Sequence, residues 1–502
     1  MSTIQSFQNT SSIDKPPVIE QKYCPVKKIA LDALKVLGLI LLAAGVGCFI
    51  AGFQAPAISL LVTGVASLVL GFMLPEKKET PLPLPTDLPQ EVPTYYPLTI
   101  LRGKIESIEA PQPLEKGRIA DKLSAVTEGQ AAGDALGVAT NNLGKEMVML
   151  GHRRGSGALD VEHPAFHPDL KHKDPILFQW PSKFPEKGVT DVTEQATLII
   201  RAIDQHQKYP EKSLEILFAE QLYHWVHHGL DNFEGEYSSN EAQPLGSCRM
   251  ITAVMEDLLK HKDFLKNPVK VALETWEYEG TYKSPASFQP VMRASVLGTI
   301  YYRDLTAVVE KTILFASVTE ADPRSISSAV ALSVAIALFL RGHDSVEEIT
   351  HHSLDIAKIV LRDQMEQKAS YYKGENWEEL NDQYAKGLEA HIMGTWETLQ
   401  LDDRENTHKD YAYKCVGAAF CALRRAEELN RQHDPDPFRA VIREVIMEAG
   451  NASANAAAAG ALIGAYLGAD SIPNSWLNFN DQSLLVVHQN EGLVQSLSES
   501  VD

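Results

Sequence analysis

His224, His227 and His228 fall at i, i+3 and i+4, so a helix would gather three imidazoles on one face. That spacing suits a borderline metal, but no acid or cysteine motif accompanies it, and surface or packing histidines are expected. The tract His163–His172 (HPAFHPDLKH) holds three more, yet Pro164 and Pro168 break any single helix face and make it a surface loop. Five cysteines without CxxC spacing argue against a zinc site or disulfide framework; Cys415 and Cys421 read as small buried side chains. Acids and hydroxyls are the remaining candidates. Thr190 and Asp191, in Gly188–Thr193 (GVTDVT), suit an N-terminal helix cap. Asp134 reads as a helix-associated polar residue, and Glu194 as a first-turn acid complementing the helix dipole. No GxSxG, HExxH or Walker motif is present.

The elements that would position these groups are helices. In Glu194–Gln205 the apolar residues Ala196, Ile199, Ile200 and Ile203 mark one helical face. Ser325–Leu340 follows Pro323, carries no charge over 16 residues, and is too short for a comfortable membrane span; a fully buried central helix is expected. Gly460, Gly464 and Gly468 recur every four residues among alanines, a row that lets neighbouring helices approach closely. Period-two alternation is absent, so the class is all-α. With 46 basic against 66 acidic residues, the net charge of −20 argues against a nucleic-acid surface.

The N-terminal quarter differs. Val36–Phe53 and Ala55–Leu74 are uncharged over 18 and 20 residues, each long enough to cross a bilayer as a helix. Lys27, Lys28 and Lys35 before them, and Lys77 and Lys78 after, predict both flanks on the cytosolic side. Prolines from Pro75 to Pro97 then favour an extended spacer. The expected organisation is a disordered tail (1–28), a two-helix transmembrane hairpin (29–74), a Pro-rich linker (75–113), a helical domain (114–480) and a C-terminal tail (481–502). The hairpin resembles that of inclusion-membrane proteins secreted by obligate intracellular bacteria, which implies a multi-pass protein in a pathogen-modified host vacuole membrane.

Four segments of the helical part, in order, resemble the ADP-ribosylglycohydrolase family. They are Gly133-Asp134-Ala135-Leu136-Gly137; Gly188–Thr193, similar to the family's TDDT motif; Asp322-Pro323-Arg324; and Gly450–Trp476, similar to GGDTDTNAAIAGALLGAxxGxxxIPxxW. Met292-Arg293 is a weaker echo of a further motif. The resemblance implies an orthogonal helical bundle that cleaves ADP-ribose from side chains or small molecules. It also implies a central metal pair, usually magnesium, held by carboxylate and threonine oxygens. Carried over by position, Thr190 and Asp191 are metal ligands, and Gly133, Asp134, Asn141, Asn451 and Ser453 border an ADP-ribose-like ligand.

The departures fall where that chemistry is concentrated. Val192 replaces the second aspartate of TDDT, Asn451 and Ser453 stand at two ligand aspartates, and Ala454 at a ligand threonine. Asn141 stands where many members have a ribose-binding glutamate, and Glu320 where a histidine is frequent. Magnesium binds weakly to a single carboxylate because it keeps most of its water, so Mg2+ is a doubtful cofactor here. The expected function is a membrane-tethered, catalytically degenerate homologue that binds an ADP-ribose-like ligand or a protein partner. The alternative is an active ADP-ribosyl hydrolase with one metal or a rearranged site, with Asp191 and Glu320 as catalytic candidates.

Overall fold

The computed structural model describes residues 99–109, 111–154, 188–230, 253–278, 286–372, 374–402, 408–479 and 481–500. The expected N-terminal tail, the hairpin, most of the linker and the His163–His172 tract lie outside the described residues. In chain order the helices begin with Thr99–Glu106 (α1), Lys116–Gly137 (α2) and Lys145–Arg154 (α3). Asp191–Lys208 (α4), Leu214–His228 (α5), Ala253–Lys260 (α6) and Pro268–Tyr278 (α7) follow. Next come the short Gln289–Met292 (α8) and Ser295–Ile300 (α9), then Leu305–Ser317 (α10), Pro323–Arg341 (α11), Val346–Gln367 (α12) and Trp377–Ile392 (α13). Trp396–Leu399 (α14), Ala412–Arg431 (α15), Pro437–Met447 (α16), Ala452–Leu467 (α17) and Asp481–Ser500 (α18) complete the bundle. Among the described residues the only β feature is an isolated bridge between Ser287 and Tyr411.

Helix α11 is the central element. Asp322 caps it by accepting from the Arg324 N–H, Pro323 occupies the first turn, and Gly342 ends it in the left-handed conformation (φ +103°). Pro323 to Leu340 are all buried, and the helix packs against α8, α9, α10, α12 and α15. Its length and apolarity would suit a membrane span, but inside the fold those side chains replace water with protein on every side.

The largest helix contact joins α2 to α17, near opposite ends of the described chain. It depends on glycine: a methyl group on Gly133 would sit 2.0 Å from the Ala456 carbonyl oxygen, and one on Gly464 2.3 Å from that of Ala125. Gly468 behaves differently from its two spaced partners, since it terminates α17 with φ +89°.

Two boundaries need correction. Residues 481–500, expected as a tail, form α18, which packs on α2, α4 and α9. Val486, Val487, Val494 and Leu497 bury its apolar stripe, while Asn490 donates to Thr197 Oγ1 at 2.8 Å and Ser483 accepts from the Val189 N–H at 3.1 Å. Within the expected linker, Thr99–Glu106 is helical and reaches α12, where Lys104 pairs with Asp355 at 2.7 Å.

Candidate functional site

Three helix ends converge on one carboxylate. Asp134, near the C-terminal end of α2, has no exposed surface. Its Oδ1 accepts the Thr190 hydroxyl at 2.6 Å and the Ser453 hydroxyl. Its Oδ2 accepts the Thr190 N–H at 2.8 Å, the Thr193 N–H at 3.1 Å and the Thr193 hydroxyl at 2.7 Å. One side chain from α2 therefore satisfies orphan donors at the start of α4 and clasps the first turn of α17. Burial raises the Asp134 carboxyl, and the bonds from Ser453, Thr190 and Thr193 oppose that rise.

Asp191 opens α4, with Thr190 as the N-cap accepting from the Val192 N–H at 3.2 Å. Burial, then the charges of Asp134 and Glu194, hold the Asp191 carboxyl well above the carboxylate range. Glu194 is buried one turn on and accepts the Trp225 indole N–H at 2.8 Å. Arg293, the weak echo of a family motif, is buried, donates to Gln195 Oε1 at 2.7 Å and lies 5.1 Å over the Phe218 ring.

On the C-terminal side, Ser453 donates to Asp134 and its N–H reaches Asn141 Oδ1 at 3.3 Å. Asn451, the N-cap of α17, makes no side-chain cap bond; its amide donates to Asp410 Oδ1 at 2.9 Å. Burial raises the Asp410 carboxyl, against the pull of Lys409 and the Asn451 bond. The Lys409 ammonium donates to Asn142 Oδ1.

Glu320 sits with Asp322 and Arg324. Its Oε1 accepts the Asp322 N–H at 3.0 Å, and burial, then Asp322, pushes its carboxyl up to about 7. Asp322 holds Arg324 through both oxygens, at 3.0 and 2.6 Å, and the guanidinium stacks 4.6 Å from the Tyr384 ring. Lys368 donates to Gln364 Oε1 at 2.6 Å, and burial lowers its ammonium to about 8.

The structure therefore brings Asp134, Thr190, Ser453 and Asn141 together, with Asp191 beside them. Gly133 and Asp134, expected beside a ligand, are used inside the fold: Gly133 lies under the Ala456 carbonyl, and Asp134 is saturated by protein donors. Lys409 and Asp410 were not anticipated, because they sit outside every family-like segment. His224 and His227 are exposed on α5, where His227 stacks 4.2 Å from Tyr223. Cys415 and Cys421 are buried, as expected.

A metal pair does not fit these residues. At the matched positions Asn451 and Ser453 offer neutral oxygens where the resemblance expects carboxylates, and both are hydrogen-bonded to protein acids, Asp410 and Asp134. Val192 and Ala454 have no side-chain oxygen. Among the described residues, no group of three His, Cys, Asp or Glu side chains is placed to hold an ion.

An all-helical bundle whose α4 and α17 N-termini meet on an acid of α2 defines the class. A family model described as ADP-ribosylglycohydrolase matches residues 115–498, and the chain belongs to that family. A solved structure described as "ADP-ribosylglycohydrolase-related protein complex" is similar at 18% identity, covering 76% of this chain and 99% of its own, with a TM-score of 0.45. No curated protein matches.

Proposed function

We propose that this chain is a membrane-tethered ADP-ribosylglycohydrolase homologue that binds an ADP-ribose-like ligand and has lost hydrolysis. One observation carries the reading: where the family resemblance expects carboxylates for a cation, the neutral side chains of Ser453 and Asn451 stand, hydrogen-bonded to Asp134 and Asp410. A divalent ion there would meet neutral hydroxyl and amide oxygens, without the negative charge that a pair of such ions requires. Incubating the full-length chain with an ADP-ribosylated protein and magnesium is expected to release no ADP-ribose, while free ADP-ribose still binds. Magnesium-dependent release would sink the reading.

The second reading, an active hydrolase with a rearranged site, is favoured by Glu320, whose carboxyl near 7 suits a general acid at neutral pH. It requires that Asp191→Ala or Glu320→Gln abolish any turnover observed.

The tether rests on the two uncharged runs, residues 36–53 and 55–74. Both termini face the cytosol in this reading, and the membrane is that of a pathogen-modified host vacuole. Alkaline carbonate extraction is expected to leave the full chain in the membrane pellet and to release a variant lacking residues 29–78; a full chain found in the supernatant would remove the tether.

A further inference from the structure

The seam between α18 and α2 is lined by acids. Asp121, Ser124 and Glu128 fall at i, i+3 and i+7 on one face of α2. Ser124 on that face donates to Glu491 Oε1 of α18 and accepts the Gln495 amide at 3.2 Å. Glu128, one turn further on, is partly buried, and the charges that act on it, Glu491 and then Asp121, are both negative. Burial first, then these two acids, pushes its carboxyl up to about 7. Cations of the packed elements answer other partners. Lys122 donates to the Ala465 and Tyr466 carbonyls, Lys208 pairs with Asp204, and His206 meets the Lys212 carbonyl. Arg303, just past α9, donates to the Ser498 carbonyl. The further basic groups of these helices are Lys116 and Arg118 on α2, Arg201 on α4 and His488 on α18, while α9 has no titratable side chain. Asp481 and Glu499 are exposed at the two ends of α18.

The docking of α18 is also incompletely paired. Gln489 Oε1 and Asn490 Oδ1 are buried and find no donor among the described residues, and a buried acceptor left unpaired weakens the packing that buries it. In the first turn of α18, Ser483 accepts the Val189 N–H at 3.1 Å. The next residue is Thr190, whose N–H and hydroxyl both bond Asp134. A docked α18 therefore fixes the chain at the entry to α4, beside the Asp134 centre. A carboxyl raised in the docked state binds its proton more tightly there than in a released helix. Docking is thus strongest below the ordinary value of 4.5 and is progressively lost as pH rises through about 7.

We infer that α18 is a releasable, pH-sensitive strap: its seam with α2 opens when Glu128 and Glu491 are both charged, and opening withdraws Ser483 from the Val189 N–H at the entry to α4. The opening is local, with the central helices still packed. It loosens the chain leading into the Asp134–Thr190 centre whatever that centre binds, so the inference stands apart from the ligand-binding reading above.

The test is amide hydrogen exchange of the full-length chain at pH 6 and pH 8, read by mass spectrometry and corrected for the intrinsic effect of pH on exchange. Peptides covering residues 481–500 and 188–194 are expected to open about threefold to tenfold more often at pH 8, the response of one titrating carboxyl. Peptides from α11 are expected to keep the same protection at both values. Glu128→Gln keeps the size of the side chain and removes its charge; it is expected to protect both segments at pH 8 and to abolish their pH dependence. Ser483→Ala is expected to expose residues 188–190 at both pH values while α18 keeps its response. Equal protection of α18 at the two pH values overturns the inference, as does a pH dependence that survives in Glu128→Gln. Opening of α11 in step with α18 overturns it in favour of global unfolding. A responsive α18 beside an unresponsive 188–194 overturns the link to the centre.

Discussion

Gly460→Ala is expected to lower the stability of the helical domain by about 3 kcal/mol or more, and Gly460→Val to leave it unfolded. A methyl group at Gly460 would sit 2.0 Å from the Gly129 carbonyl oxygen and 2.7 Å from its carbon. Both obstacles are backbone, so no rotamer change relieves the clash, and α2 and α17 must separate. The neighbouring contacts at Gly133 and Gly464 are equally close and would be strained by that separation. Gly492→Ala in α18 is the control: nothing lies within 4 Å of its added carbon, and alanine gains up to about 1 kcal/mol of helix propensity. Thermal unfolding of the purified variants reads both effects. Equal melting temperatures for Gly460→Ala and Gly492→Ala would mean that the two helices are not in backbone contact.

Asp134→Ala is expected to cost about 3–5 kcal/mol, because it leaves a set of buried donors without an acceptor. Two of them are backbone N–H groups at the start of α4 and three are hydroxyls from Thr190, Thr193 and Ser453. Asp134→Asn should rescue little, since one end of the amide is itself a donor facing donors. Denaturant unfolding followed by circular dichroism reads the loss. A variant of native stability that no longer binds ADP-ribose would return Asp134 to the role the family resemblance first suggested, a ligand contact.

Part of this was legible in the sequence and part was not, for physical reasons. Helix α11 was readable because a run without charges, opened by Asp322-Pro323, has few places to go but the core. The Ala196–Ile203 stripe of α4 was readable from its 3.6-residue period, and all four of its residues are buried. The stripe of α18 has the same period, Val486, Val487, Asn490, Val494, Leu497, but it follows a stretch that resembles a domain end, so the sequence alone reads as a tail there. The site was harder. Motif positions located Asp134, Thr190 and Ser453, yet a motif does not say which way a side chain points, and here both hydroxyls turn onto the buried Asp134 carboxylate. Lys409 and Asp410 gave no local signal, since their partners Asn142 and Asn451 lie far away along the chain and only the folded backbone brings them within reach.

The pairing of α2 with α17 also sets the order in which the molecule can assemble. About three hundred residues separate the two helices, so the first long helix of the bundle leaves the ribosome well before its principal partner exists. At about 5–20 residues per second, that wait is roughly a quarter of a minute to a minute. Contacts this distant in sequence slow folding, because a long loop must close before they reward it. The waiting surface is built from glycine and alanine, Gly129, Ala132, Gly133 and Gly137, which gives other chains little to adhere to. A chain that stops before Ala452 would never close that loop, however well its earlier helices form.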